Sequence, residues 1–155
     1  MSRYIVIPVP SEERRAEFDQ IRSSVSSWAA AEPSIAAAAL VGSWARGEPR
    51  CDSDMDIVLL TLDVAKFVQS SDWLEPALSR PAEIVRTRNW GRLTERRARV
   101  QSGFEIEFGV VHPAWASTNP VDPGTRRVVA DGCVVLYEDQ CLLSQLIETV
   151  SRTKS

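Results

Sequence analysis

Residues 38–60 read AALVGSWARGEPRCDSDMDIVLL. Two apolar runs, Ile35 to Ser43 and Met55 to Asp63, flank a short polar stretch carrying Gly47 and Pro49. Runs this short, bounded by turn signals and in the second case rich in β-branched residues, predict buried strands. The alanines of the first run would also tolerate a helix, and the strand that follows arbitrates. Between them, SWARGEP predicts one helical turn ended by Gly47 and Pro49. The deciding unit is thus strand, tight turn, strand, with Asp54-x-Asp56 at the entrance to the second strand.

Upstream of this unit, residues 11–32 carry Phe18, Ile21, Val25 and Trp28 at helical spacing until Pro33 stops the run, which predicts an amphipathic first helix. Downstream, residues 63–79 carry a weak helical pattern and 83–90 a third strand. Arg96 to Val100 and Phe104 to Val111 predict a hairpin around Gln101-Ser102-Gly103. A Pro-rich connection over 113–123 follows, then a short helix near Thr125 to Asp131, a strand CVVLYE and a terminal helix QCLLSQLIETVS. Interleaved strands and helices predict an α/β (α+β) fold, a mixed central β-sheet flanked by helices. Residues 1–155 are expected to form one domain, because a boundary at 113–123 would leave a C-terminal piece too small for its own core.

The chemistry concentrates around the deciding unit. Gly42 lets the backbone approach a bulky anion, and Ser43 offers a hydroxyl and an amide at the start of a helical turn, where phosphate is favoured. In extended chain, residues two apart point the same way, so Asp54 and Asp56 present both carboxylates on one face and converge on a cation. Magnesium prefers one or two carboxylates plus substrate phosphates, so this pair beside a phosphate cradle describes a site completed by a nucleoside triphosphate that brings its metal. In Gly103 to Gly109, alternation places Phe104, Ile106 and Phe108 on one side and Glu105 and Glu107 on the other, as in a strand with one face in the core and one lining a site.

Gly42-Ser43, Ala45-Arg46-Gly47 and Ser53-Asp54-x-Asp56 resemble the signature of the polymerase-beta-like nucleotidyltransferase superfamily, which includes aminoglycoside nucleotidyltransferases and minimal nucleotidyltransferases. The match covers about residues 35–112. The resemblance implies a nucleotidyltransferase-like fold and attack by an acceptor hydroxyl on the α-phosphate of a nucleoside triphosphate, ATP first among the choices, releasing pyrophosphate. It implies two Mg2+ ions, with Asp54, Asp56 and Glu105 as ligands. A third carboxylate on a later strand helps hold metal or deprotonates the acceptor; Glu105 is favoured, Glu107 stands beside it, and the sequence does not decide between them. Gly42 and Ser43 are the implied phosphate contacts, with Arg46 a further candidate.

Three acceptor readings follow from the resemblance. The first is a small molecule, although drug-modifying relatives typically carry an extra helical domain for which this chain has little room. The second is a protein that receives AMP, as in minimal nucleotidyltransferases paired with a helical toxin; the third is a non-catalytic nucleotide-binding module. For a small-molecule acceptor the pocket must come from the Arg-rich segment, the C-terminal residues or a second subunit, so a homodimer and, for AMP transfer, a helical protein are the candidate partners.

Bulk properties exclude other classes. Hydrophobic residues make up 44% and charged residues 25% of the chain, ordinary globular usage that excludes disorder and coiled coil. A formal charge of -3 argues against general nucleic-acid binding. Locally, however, Arg86, Arg88, Arg92, Arg96, Arg97 and Arg99 cluster, as a solvated face or an attractor of polyphosphate. The stretch Ile35 to Ser43 is about half as long as a bilayer-spanning helix needs to be, and the brief apolar run near the N-terminus lacks a secretory cleavage pattern. With three scattered cysteines read as free thiols, a cytoplasmic protein without membrane contact is expected. His112 is the only histidine, which rules out chemistry that needs several within one chain. A calcium loop beginning at Asp52 fails because Ile57 stands where glycine is required. Of the tryptophans, Trp44 beside the cradle is the candidate for stacking on a base.

Overall fold

The computed structural model describes residues 8–152; the apolar N-terminal run lies outside them. The first helix, α1 (Glu12–Ala31), is capped by Ser11, whose side chain accepts from the Arg14 amide, and buries a stripe of Phe18, Ile21, Val25 and Ala29. Strand β1 (Ile35–Val41) leads into the single turn α2 (Ser43–Arg46), and β2 (Met55–Thr61) follows. The weak helical pattern after it resolves into two short helices, α3 (Val64–Gln69) and α4 (Leu74–Leu78), separated where Trp73 turns its indole N–H onto the carbonyls of Phe67 and Ser70. The remaining elements are β3 (Ala82–Trp90), β4 (Leu93–Val100), β5 (Glu105–Val111), a 3₁₀ turn (Pro113–Ala116), α5 (Pro123–Asp131), β6 (Cys133–Glu138) and α6 (Leu142–Arg152). Strand β4 begins three residues before the sequence pattern placed it, because Leu93 to Glu95 pair with both β3 and β5.

The strands form one mixed sheet in the order β3-β4-β5-β2-β1-β6, in which only β2 and β5 run parallel. This is the α/β architecture with a mixed central sheet that the sequence predicts. One face is sealed by α1, α3 and α4, where Ile21, Phe67 and Leu78 pack on Leu40, Ile57, Ile106 and Phe108. On the other face, α5, α6 and the 3₁₀ turn pack Val129, Leu143, Leu146 and Trp115 against Ala37, Ala39, Val58 and Leu60. Strands β1 and β2 are therefore covered on both sides, which is why they read as continuous apolar runs. Strands β4 and β5 instead keep the period-two alternation. Ala98, Val100, Ile106 and Phe108 enter the first core, while Glu95, Arg97, Arg99, Glu105 and Glu107 share the opposite face.

Arg96 departs from the basic cluster read from sequence. It is buried, donates to the carbonyls of Phe67 and Ser70 at 2.6 and 2.9 Å and to the Thr87 hydroxyl at 2.9 Å, and closes the end of α3. Its role is structural. Among the described residues, no helix is long and apolar enough to cross a membrane.

Candidate active site

The β1–α2 turn and the entrance to β2 meet because β1 and β2 are antiparallel, with Val41 opposite Asp56. Gly42 adopts φ +77° and ψ −159°, a region open essentially to glycine alone. A Cβ there would overlap Oδ2 of Asp56 and stand 3.3 Å from its Cγ. The missing side chain is what lets this carboxylate lie against the start of the Ser43 turn. Trp44 fixes the same turn to the loop before β2: its ring stacks on Phe18 at 4.2 Å, meets Phe104 edge-on at 6.0 Å, and its N–H donates to the Ser53 carbonyl. Ser53 in turn accepts from the Arg50 amide at 2.8 Å, closing the loop that delivers Asp54. Trp44 is thus a core anchor, 7% exposed, and no platform for a base.

Across the sheet, the parallel pairing of β2 with β5 puts Asp56 opposite Glu107, and the β4–β5 hairpin puts Arg97 opposite Glu107 and Arg99 opposite Glu105. Asp54, Asp56, Glu105 and Glu107 are therefore brought to one half-face of the sheet, together with two residues the sequence reading had not singled out for the site, Glu95 and Arg97. A signal for them existed. Glu95, Arg97 and Arg99 alternate at period two and mirror Glu105 and Glu107 about the Gln101-Ser102-Gly103 turn, the pattern of cross-strand charge pairs.

Arg97 lies in the middle. Its Nη1 donates to Asp54 Oδ2 at 2.5 Å and to Glu105 Oε1 at 2.9 Å, while Nη2 donates to Glu107 Oε2 at 3.2 Å and stands 3.6 Å from Glu95 Oε1. Glu105 is held on its other oxygen by Arg99, at 2.9 and 2.7 Å. Glu95 is buried and accepts from Arg86 at 2.6 Å and from the indole N–H of Trp90 at 3.0 Å. Among the described residues, no three Asp, Glu, His or Cys side chains stand at metal-ligand spacing as they lie. Arg46 is half-exposed and ion-paired with Asp131 at the end of α5, at 2.5 Å.

The crowding shifts proton affinities in opposite directions. Burial, and then the neighbouring Glu95 and Asp56 carboxylates, push Glu107 up to about 8. Asp56 is raised as well, by burial first and then by the charges of Asp54 and Glu95, against the lowering effect of its hydrogen bond from Glu107 and of the Arg97 charge. Glu95 drops to about 2 because Glu107 donates to it, against the cost of its burial, with help from Trp90 and Arg86. Glu105 is lowered by Arg99 and then Arg97. The carboxylates tolerate each other by sharing protons and by enclosing a guanidinium.

A family model for the nucleotidyltransferase domain matches residues 7–107, well over half of the chain. The chain belongs to that family of nucleotidyltransferase domains. Solved structures with a similar fold include Cid1 in complex with the UTP analogue UMPNPP, at 16% identity and a TM-score of 0.49, covering 67% of this chain and 32% of that one. The Cid1 poly(U) polymerase matches at 18% identity with a TM-score of 0.43, over 67% of this chain and 32% of that one. A cytoplasmic RNA terminal U-transferase matches at 19% and 0.43, over 67% and 31%. This chain spans about a third of the length of those proteins. Among curated proteins there is no match.

Two outcomes follow from the geometry. Gly42→Ala should lose about 1–3 kcal/mol of stability from backbone strain alone, with the overlap on Asp56 adding to it, read by urea unfolding; an unchanged midpoint would show that the turn is not confined as described. Glu107 binds its proton more tightly folded than unfolded, so its contribution to stability is complete below the ordinary carboxyl value of 4.5 and is lost as pH rises through about 8. Glu95 acts oppositely, losing its contribution as pH falls from 4.5 through about 2, so of the two Glu107 governs above 4.5. In EDTA, the urea midpoint should therefore fall from pH 5.5 to 8.5, and Glu107→Gln should flatten that slope; a parent without the slope contradicts the shared-proton description.

Proposed function

We propose that the chain is a metal-dependent nucleotidyltransferase that moves a nucleoside monophosphate from a nucleoside triphosphate to a hydroxyl of a small molecule. The observation that carries this reading is the juxtaposition of Gly42, Asp56 and Glu107: a side-chain-free turn laid against one carboxylate, which is paired in register with another. Oxygen donors crowded beside a backbone cradle suit a hard divalent cation delivered with phosphates, so the residues fit the group the family uses. Asp54, Asp56 and Glu107 would hold Mg2+. Glu107 replaces Glu105 in this assignment because it shares register with Asp56, whereas both oxygens of Glu105 are engaged by arginines.

Bound divalent ions would neutralise charge on the triphosphate and on the entering and departing oxygens. The chain's own residues do the positioning. Gly42 lets the Asp56 carboxylate lie against the turn, Ser43 would offer its hydroxyl and amide to the triphosphate, and the buried strands β2 and β5 hold the carboxylates in place. The acceptor oxygen bonds to the α-phosphorus as the bond to the pyrophosphate oxygen breaks, and the hydroxyl proton passes to a carboxylate of this set. The acceptor would approach over β3 and β4, where Trp90 is 59% exposed and anchored through its N–H to Glu95. ATP is the first donor to try, and the unpaired thiols Cys51, Cys133 and Cys141 suit a cytoplasmic setting.

Calorimetric titration with ATP, CTP, GTP and UTP, in magnesium and in EDTA, tests the reading. At least one triphosphate should bind only with magnesium, and Asp54→Ala/Asp56→Ala should abolish that binding. Binding that survives the double substitution, or no binding of any triphosphate, overturns the site assignment.

A further inference from the structure

We infer that Arg97 is a displaceable internal counter-cation, whose guanidinium holds the ground between Asp54 and Glu107 that a divalent ion must take for the site to load. The inference rests on the metal-dependent reading above and adds to it a competition built into the chain.

Three features of the structure carry it. The guanidinium touches the carboxylates the metal would need: Asp54 at 2.5 Å and Glu107 at 3.2 Å, with Glu105 at 2.9 Å. Each is a charge-assisted bond, and together, against the opposing effect of burial, they raise Arg97's proton affinity above that of an ordinary arginine, so the group stays cationic. The seat is incomplete, because Nε of Arg97 is buried without a hydrogen-bond partner. An unpaired buried donor is unfavourable, so this position is less settled than that of the neighbouring Arg96, whose Nε and Nη1 are both satisfied. Finally, the carboxylates fall short of ligand spacing while they close around the guanidinium. A cation between Asp54 and Glu107 would face a like charge at contact distance, so Arg97 must turn away when metal enters. The side chain is long and unbranched and still 17% exposed, so it can do so by rotamer change without moving β4. The triphosphate that brings metal also brings phosphate oxygens suited to a released guanidinium.

Metal alone is the probe. Mn2+ binding to the full chain without nucleotide, by calorimetry and by electron paramagnetic resonance, should tighten by about tenfold or more in Arg97→Ala, the scale of one charge at contact distance near a protein surface. Arg99→Ala, which frees only the outer oxygen of Glu105, should stay within about twofold of the parent, as an exposed ion pair contributes little. In EDTA, Arg97→Ala should melt lower than the parent, and Mn2+ should raise its midpoint by more than it raises the parent's. If the variant is unfolded in EDTA, recovery of its fold on adding Mn2+ supports the inference, and failure to recover overturns it. Unchanged or weaker Mn2+ affinity in folded Arg97→Ala likewise overturns it. If the parent binds a triphosphate with magnesium while Arg97→Ala gains no affinity for Mn2+, only the inference fails; if no triphosphate binds the parent, the metal-dependent reading fails first.

Discussion

Everything at the candidate site is arranged around one electrostatic difficulty, the packing of Asp54, Asp56, Glu95, Glu105 and Glu107 onto half of one sheet face. Like charges this close are tolerated only if some are neutral or a cation lies among them. Both devices are present: Glu107 keeps a proton to about 8, and Arg97 bonds to Asp54, Glu105 and Glu107 at once. The carboxylates cannot relax apart, because β2 is buried on both faces and Ile106 and Phe108 pin β5 into the core under α3 and α4. The cation that the structure places in their midst is the Arg97 guanidinium.

The same confinement explains the turn beside the cluster. Gly42 occupies a backbone region that other residues avoid, and its missing side chain is what brings the cradle and Asp56 together. Trp44 and Ser53 then fix the loop that carries Asp54. Residues that look like a phosphate motif in sequence thus set how closely the Asp56 carboxylate lies against the turn.

Much of the fold was legible in the sequence, since β1 and β2 are continuous apolar runs, α1 has a clear helical stripe, and β5 alternates cleanly. The weak pattern over 63–79 concealed a break, because the carbonyls at the end of α3 are satisfied by the indole of Trp73 a few residues on and, from far along the chain, by Arg96, bonds that periodicity cannot encode. For Trp44 the sequence left base stacking open beside the commoner core role, and the core role holds because α1 delivers Phe18 onto its ring. At the site, the acidic residues were visible while the partners that decide between them were not. Register across β2 and β5 favours Glu107 over Glu105, and it depends on a parallel pairing between strands more than forty positions apart in sequence. Arg97, seen only as one of a basic cluster, acquires its role from the hairpin that sets it opposite Glu107.

Anomalous scattering from crystals of the full chain grown with Mn2+ and a non-hydrolysable nucleoside triphosphate analogue addresses the central claim most directly. Peaks bounded by Asp54, Asp56 and Glu107, with the triphosphate against Gly42-Ser43, are the expected result. Manganese bound elsewhere, or a triphosphate seated away from the turn while Arg97 still bridges Asp54 and Glu107, would contradict it.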